Sequence, residues 1–356
     1  MINDILVLKT CIVFLVIQIL LIIVLFLFYL KNILSRMLQQ YIFEKYEFYI
    51  MEATVGKVDK SSPIFRTAPF VKNVLRVIII DKIMSVGGEA RKGLIELYKD
   101  MGFDKYDEKL LSSSQWYHKV SAISFLTITK SEKLRDKLPL LINDNNLSVR
   151  VAAIKAISTL NLKEYTLDII KCMETLPDWV NERISPLLLK IEKVPYEEIL
   201  LIFNKSSERI KRYIVPLLFE TDREQALWDL TNNFDSYDFE TQISIVKSIH
   251  NVDNIEKMLG FVETIMNSEK WELKAQLVKS LGKIKDERAI PYLIIGLDDK
   301  NWFVRFNSAV SIASFGDKGL SLLTRFADEK SGFKSDIAKY ILDLSRYGFL
   351  SEEIKG

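Results

Sequence analysis

The stretch LGKIKDERAIPYLIIGLDDKNWFVRFNSAVSIASFG, Leu281–Gly316, holds one unit of a pattern that recurs through most of this chain. Trp302 marks its phase. Six, seven and ten residues after Trp302 stand Ser308, Ala309 and Ile312. Residues three and four apart share a helix face, so these offsets read as one packed stripe. Leu293, nine residues before the marker, belongs to a preceding helix.

Counting outward, Trp116, Leu147, Trp179, Phe239, Trp271, Trp302 and Phe333 recur about every 31 residues, with one double interval between Trp179 and Phe239. The ten-residue offset then falls on Leu126, Ile157, Leu189, Ile249, Leu281 and Ile312. The missing marker falls near Glu208-Arg209, where Arg209–Leu218 keeps the helical stripe without an aromatic residue. A period of this length means stacked two-helix units whose apolar seams are covered only by their neighbours. The sequence therefore predicts an all-α chain of about eight such units between 104 and 348, the fourth degenerate. Pro186 and Pro216 are expected to bend or shorten their helices.

Residues 10–30 run from Thr10 to Leu30 without a charge, and Gln18 is their only strongly polar side chain. At 1.5 Å per residue such a helix spans roughly 30 Å of hydrocarbon. The run exceeds the apolar core of a signal peptide, and Lys31–Arg36 offers no small-x-small cleavage site. An uncleaved, single-pass cell-membrane anchor is expected. Lys31, Arg36 and Lys45 follow the span, against Lys9 before it, so the positive-inside rule places the C-terminal bulk in the cytoplasm.

The expected organisation is a short tail at 1–9, the span at 10–30, a juxtamembrane amphipathic helix and linker at 31–69, a solenoid at 70–348 and a tail at 349–356. In the juxtamembrane helix, Ile33, Leu34, Met37, Leu38, Tyr41 and Ile42 recur at helical spacing. It is read either as lying in the membrane interface, with Tyr41, Phe43, Tyr46 and Phe48 near headgroups, or as pairing with a partner's helix. Gly56, Ser61, Ser62, Pro63 and Pro69 mark the linker. Gly87-Gly88 and Gly102 end the next two helices.

Chemistry is sparse. With 49 Lys plus Arg against 47 Asp plus Glu, the formal charge of +2 does not suit a nucleic-acid coat. The two cysteines, Cys11 and Cys172, give no disulfide framework. His118 and His250 lie in separate repeats without metal-ligand spacing. No phosphate loop, dinucleotide fingerprint or nucleophile elbow occurs. No catalytic, metal or cofactor residue is therefore assigned. Acidic pairs such as Glu197-Glu198 and Asp298-Asp299 read as caps. Arg150 and Arg305, three residues after their markers, are expected to reach carbonyl or acidic groups in an adjacent turn. The tryptophan markers are expected to pack between repeats.

A candidate interaction surface remains. Lys155, Lys247 and Lys279 lie eight residues after their markers, and Ser244, Gln276 and Asn307 lie five after. These offsets face away from the seam, so they would line the concave groove and receive an acidic protein segment or a phosphate group.

Ala289-Ile290-Pro291-x-Leu293, Asp298-Asp299, Val304-Arg305 and Gly316 closely resemble the short HEAT repeat of the type found in phycobilin lyases. Residues 143–160 match again through Asn143-Asp144, Val149-Arg150 and Ala152-Ala153. The resemblance implies a right-handed α-α superhelix of the HEAT/armadillo type behind the transmembrane helix. It says nothing of chemistry. The layout of one span, then Gly88-Glu89-Ala90-Arg91, Leu110-Leu111 and Gln115-Trp116-Tyr117-His118-Lys119, resembles bacterial membrane-anchored HEAT proteins. Those accompany family-2 glycosyltransferases of exopolysaccharide synthesis. The implied role is a scaffold or accessory subunit with protein partners, an integral-membrane glycosyltransferase among them. The alternatives are a bilin lyase-like enzyme, and a receptor for a phosphorylated small ligand.

Overall fold

A computed structural model describes residues 2–56, 58–252, 255–329 and 332–347. The expected C-terminal tail, 349–356, lies outside them. Every regular element among the described residues is helical. The chain divides between Lys137 and Leu138 into two compact bodies.

The first body contains α1 (Ile2–Val55), α2 (Pro69–Ser85), α3 (Gly88–Asp100), α4 (Phe103–Leu110) and α5 (Trp116–Ile128). The span and the juxtamembrane segment are one unbroken helix of 54 residues, about 81 Å long at 1.5 Å per residue. Its Cys11–Val55 portion is a candidate membrane span by length and composition, and the most apolar window is entirely unburied.

Beyond the apolar run the helix changes role. Ile42, Tyr46, Ile50 and Ala53, spaced four, four and three apart, are buried. They pack with Leu75, Ile79 and Ile83 of α2 and Leu94, Leu97 and Tyr98 of α3. The inward face of the juxtamembrane helix is thus covered by its own chain. The segment read as a linker is packed as well: Val58 and Ile64 join the same core, with a short 3-10 turn at Pro63–Arg66. From residue 70 onward, α2 and α3 share their core with α1.

Glycine sets the α1–α3 distance. A Cβ on Gly93 would lie 1.8 Å from the carbonyl oxygen of Ala53, so only hydrogen at this position lets the two backbones meet.

A charged group is sealed inside this body. Asp107 of α4 is fully buried and accepts hydrogen bonds from the Arg76 guanidinium of α2 and the Tyr98 hydroxyl of α3. The guanidinium lies 4.5 Å from the centre of the Phe125 ring and 5.3 Å from that of Tyr106. Burial, and then the negative charge of Asp107, push the Tyr98 hydroxyl far above the ordinary tyrosine value of 10.0. The folded state therefore holds a proton that the unfolded chain releases on titration. This contribution to stability is complete below about pH 10 and is lost as the pH rises from there towards the folded value. The urea midpoint should fall as the pH rises above about 10, and Tyr98→Phe should make that fall shallower. Equal slopes in the two proteins would contradict it.

The second body is an α-solenoid of helix pairs. They are α6 (Leu138–Ile142) with α7 (Leu147–Leu160), α8 (Thr166–Met173) with α9 (Asp178–Leu188), and α10 (Tyr196–Lys205) with α11 (Glu208–Thr221). There follow α12 (Arg223–Asn232) with α13 (Phe239–Ser248), and α14 (Leu259–Met266) with α15 (Trp271–Ile284). The last are α16 (Ile290–Leu297) with α17 (Trp302–Ala313), and α18 (Asp317–Ala327) with α19 (Phe333–Arg346). The second helix of each pair packs on the second helix of the next, from α7 through α19. These are the inner helices.

Their first residues, 147, 178, 208, 239, 271, 302 and 333, keep the period more regularly than the aromatic markers do. Glu208 supplies the missing marker. Trp179 is one residue out of phase: Ile184 and Leu188 are buried in its helix, whereas Leu189 is exposed. The phase is carried by the apolar triad, since burial dictates which side faces the seam.

Polar caps fix the starts of these helices. Asn146 accepts from the Ser148 amide at 3.0 Å, Asp238 from Thr241 at 3.0 Å and Asn301 from Phe303 at 2.8 Å. Asp144 and Asp299 hold the turn before α7 and α17, accepting from the amides of Asn146 and Asn301 at 2.8 Å each.

Candidate functional site

The inner helices present one face to the seam and an edge to solvent, so the six groove candidates are read by what each side chain touches. Three polar ones are engaged with the scaffold. Ser244 Oγ donates to the Arg212 carbonyl of α11 at 2.7 Å. That carbonyl lies four residues before Pro216, which has no N–H to offer it. The serine of the next repeat supplies the missing donor, and α11 runs on past its proline to Thr221. In α9, by contrast, the helix stops two residues after Pro186. Asn307 Nδ2 donates to the Ala275 carbonyl at 3.1 Å. Gln276 Nε2 donates to Ser280 Oγ at 3.2 Å, and Ser280 in turn donates to the Val246 carbonyl at 2.8 Å.

These contacts belong to a ladder. Ser158 reaches the Leu187 carbonyl at 2.9 Å, Ser185 that of Tyr213 at 3.0 Å, and Ser311 that of Val278 at 2.8 Å. Hydroxyls are short enough to let adjacent inner helices approach and polar enough to bond across the gap. A Cβ on Gly282 would lie 2.4 Å from Ser311 Oγ, which shows how near α15 and α17 come.

The lysines behave differently. Lys155 and Lys247 are exposed and Lys279 is half-buried. Lys279, Lys283 and Lys285 line a cavity of about 200 Å³ with Ser311 and Ser314. Burial, then the positive charges of Lys279 and Lys247, hold the Lys283 ammonium below the usual lysine range. Lys283 thus joins two sequence-predicted lysines in one cationic patch. Its offset of twelve residues from Trp271 was the signal for it. A wider groove of about 580 Å³ follows α9, α11 and α13, lined by Glu182, Arg212, Glu240, Ser244 and Lys247 among others. Arg212 spans it, 3.2 Å from Asp178 and 3.3 Å from Glu240. Both cavities are open and solvent-lined. They suit a segment laid along the surface better than an enclosed small molecule.

The arginines serve the turns. Arg150 donates to the carbonyls of Ile142 at 3.0 Å and Cys172 at 3.1 Å. Arg305 donates to those of Asp299 and Lys300 at 2.8 and 2.9 Å. Arg209 does the same for Leu176 and Glu174, at 3.0 and 2.7 Å. Each thereby pins carbonyls at a helix end or in the turn that follows it.

The aromatic markers are only partly packing residues. Trp271 stacks on Phe303 of the next repeat at 5.5 Å. Trp116, Trp179, Trp302 and Phe333 stay about half exposed at the starts of their helices. His250 Nδ1 lies 2.6 Å from the Lys247 carbonyl at the end of α13, and His118 lies 3.3 Å from Ser113 Oγ. Among the described residues no group of three or more His, Cys, Asp or Glu side chains is placed to hold a metal ion.

The helix pairs of the second body agree with one comparison, the family match. Residues 258–338, from the start of α14 into α19, match the HEAT repeats family. Residues 258–338 thus carry HEAT repeats, within a chain whose described elements are all helical. No curated protein matches it. Among solved structures, human deoxyhypusine hydroxylase in complex with glycerol is similar at 16% identity, with a TM-score of 0.29. The match covers 78% of this chain and 99% of that one.

Proposed function

We propose that this protein is a membrane-tethered interaction scaffold. The observation that carries the reading is α1, whose apolar half is unburied and whose other half is built into a helical core. A helix shared in this way ties a folded body to a bilayer without a flexible joint. The flanking lysines and arginines favour a single-pass arrangement with the solenoid in the cytoplasm. In this reading the inner-helix groove, with Lys155, Lys247 and Lys279, receives an acidic segment of a protein partner. An integral-membrane glycosyltransferase of polysaccharide synthesis is the partner suggested by the resemblance at Gly88–Arg91, Leu110-Leu111 and Gln115–Lys119. These short motifs open α3, close α4 and open α5, in the same body as α1.

The test is purification of the full chain from membranes in mild detergent. A stoichiometric glycosyltransferase should come with it, and deletion of the gene should abolish polymer. A protease added to inverted vesicles should digest the solenoid, and added to right-side-out vesicles should spare it. Recovery of the chain alone, in polymer-competent cells, would end the scaffold reading.

A further inference from the structure

Where α1 leaves the apolar run it has two apolar faces, and its own chain covers only one. Opposite the buried Ile42, Tyr46, Ile50 and Ala53 stand Leu34, Met37, Tyr41, Phe48, Met51 and Val55, from 58% to 88% exposed. With Glu44 they read 34, 37, 41, 44, 48, 51, 55, an unbroken alternation of three and four residues. That is the spacing of a coiled-coil seam, in which every such position meets a partner helix.

The geometry argues against lipid as the cover of the far half of this face. Val55 stands 25 residues beyond Leu30 in the same unbroken helix, about 37 Å along the axis. Even a tilt of about 40° leaves it roughly 28 Å from the hydrocarbon, beyond the headgroups.

Charge argues against a second copy. Copies anchored by the same N-terminal span leave the membrane in the same direction, so they can pair only in parallel. In a parallel pair each seam residue meets its own counterpart, and Glu44 would face Glu44 in the middle of the interface. Glu47 and Glu52 flank the seam and would add like-charge contacts between heptads. In the single chain, Glu44 is exposed and, among the described residues, accepts from Gln40 of its own helix, at 2.8 Å.

We infer that the Leu34–Val55 face of α1 docks an amphipathic helix of a different membrane protein, one that carries a lysine or arginine opposite Glu44. The inference deepens the scaffold reading, since it rests on the tether and gives the partner its chemistry. The cation would neutralise the only charge in the seam, and the apolar layers on either side would exclude water from the pair. One charged layer among apolar ones fixes register and selects against self-association.

The test uses the full chain, purified in detergent, and designed helical peptides of about four heptads. The peptides carry leucine at the seam and a single lysine or a single glutamate in the central layer. The lysine peptide should bind at least about tenfold more tightly than the glutamate peptide. Glu44→Lys should reverse that order, and Glu44→Gln should abolish the preference. Photo-crosslinkers at 37, 41 and 48 should capture the peptide, whereas one at Arg36 should not. Equal binding of both peptides, or capture at every exposed position, would overturn the inference. So would a self-adduct of Phe48→Cys, in a Cys11→Ser background, on oxidation of intact membranes. Release of the chain from membranes by alkaline carbonate would end the tether reading. It would leave the peptide result standing, so the two ideas fail separately.

Discussion

Asp107→Ala is expected to destabilise the α1–α5 body by about 3–5 kcal/mol, because it strands the buried Arg76 guanidinium without its counter-ion. The carboxylate is fully buried, and its partners come from two other helices, so nothing replaces it. Water cannot reach Arg76 easily: its side chain is 9% exposed and sits against Phe125. Asp107→Asn should cost less, since an amide oxygen still accepts from Tyr98 or Arg76, although the charge remains unbalanced. The double variant Arg76→Met with Asp107→Leu should recover much of the loss, because replacing both partners leaves no buried charge. Urea unfolding of the full chain in detergent, followed by hydrogen exchange in α2 to α4, measures all three. A cost under about 1 kcal/mol for Asp107→Ala would mean that the carboxylate is solvated.

Gly93→Val should be nearly as damaging, for a steric reason. The Cβ would lie 1.8 Å from the Ala53 oxygen and 3.0 Å from its carbonyl carbon. Both are backbone atoms in the last turn of α1 and cannot swing aside as a side chain would. The helices must separate, which opens the packing of Ile50 and Ala53 against α3. A loss of about 3 kcal/mol is expected, with faster amide exchange in the C-terminal half of α1. Gly260→Ala is the matched control. Gly260 is also inside a helix, but nothing lies within 4 Å of its would-be Cβ. That change should stabilise by about 0.5–1 kcal/mol. If both substitutions behaved alike, the close approach of α1 and α3 would be disproved.

Much of this fold is legible in the sequence because burial repeats. The stripes at six, seven and ten residues after each marker lie on the inner helices where expected, for example Ala153, Ile154 and Ile157. Trp179 misleads because an aromatic side chain at a helix start faces solvent and feels no constraint of phase. The juxtamembrane helix misleads for another reason. It has two apolar faces, and periodicity alone does not say which one the same chain will cover. Ser244 was legible as a groove residue, but its bond to the Arg212 carbonyl depends on a proline in another repeat. Arg76 and Asp107 are 31 residues apart and look like ordinary surface charges until three helices close around them. Lys283 lay on the face of Lys279 in sequence, yet its joining with Lys247 needs the spacing between neighbouring repeats.

Because the apolar stretch and the start of the folded body share one axle, length between them translates directly into angle. Inserting a single alanine between Leu30 and Ile42 would swing the α2–α5 body about 100° around that axle and lift it about 1.5 Å. Four alanines would return it to within about 40° of its starting azimuth, one turn further from the apolar stretch. In the scaffold reading proposed above, such a protein holds its α2–α5 body at a fixed azimuth about α1. Its activity should therefore depend on the number of inserted residues in a cycle of about 3.6, as only a stiff crankshaft would.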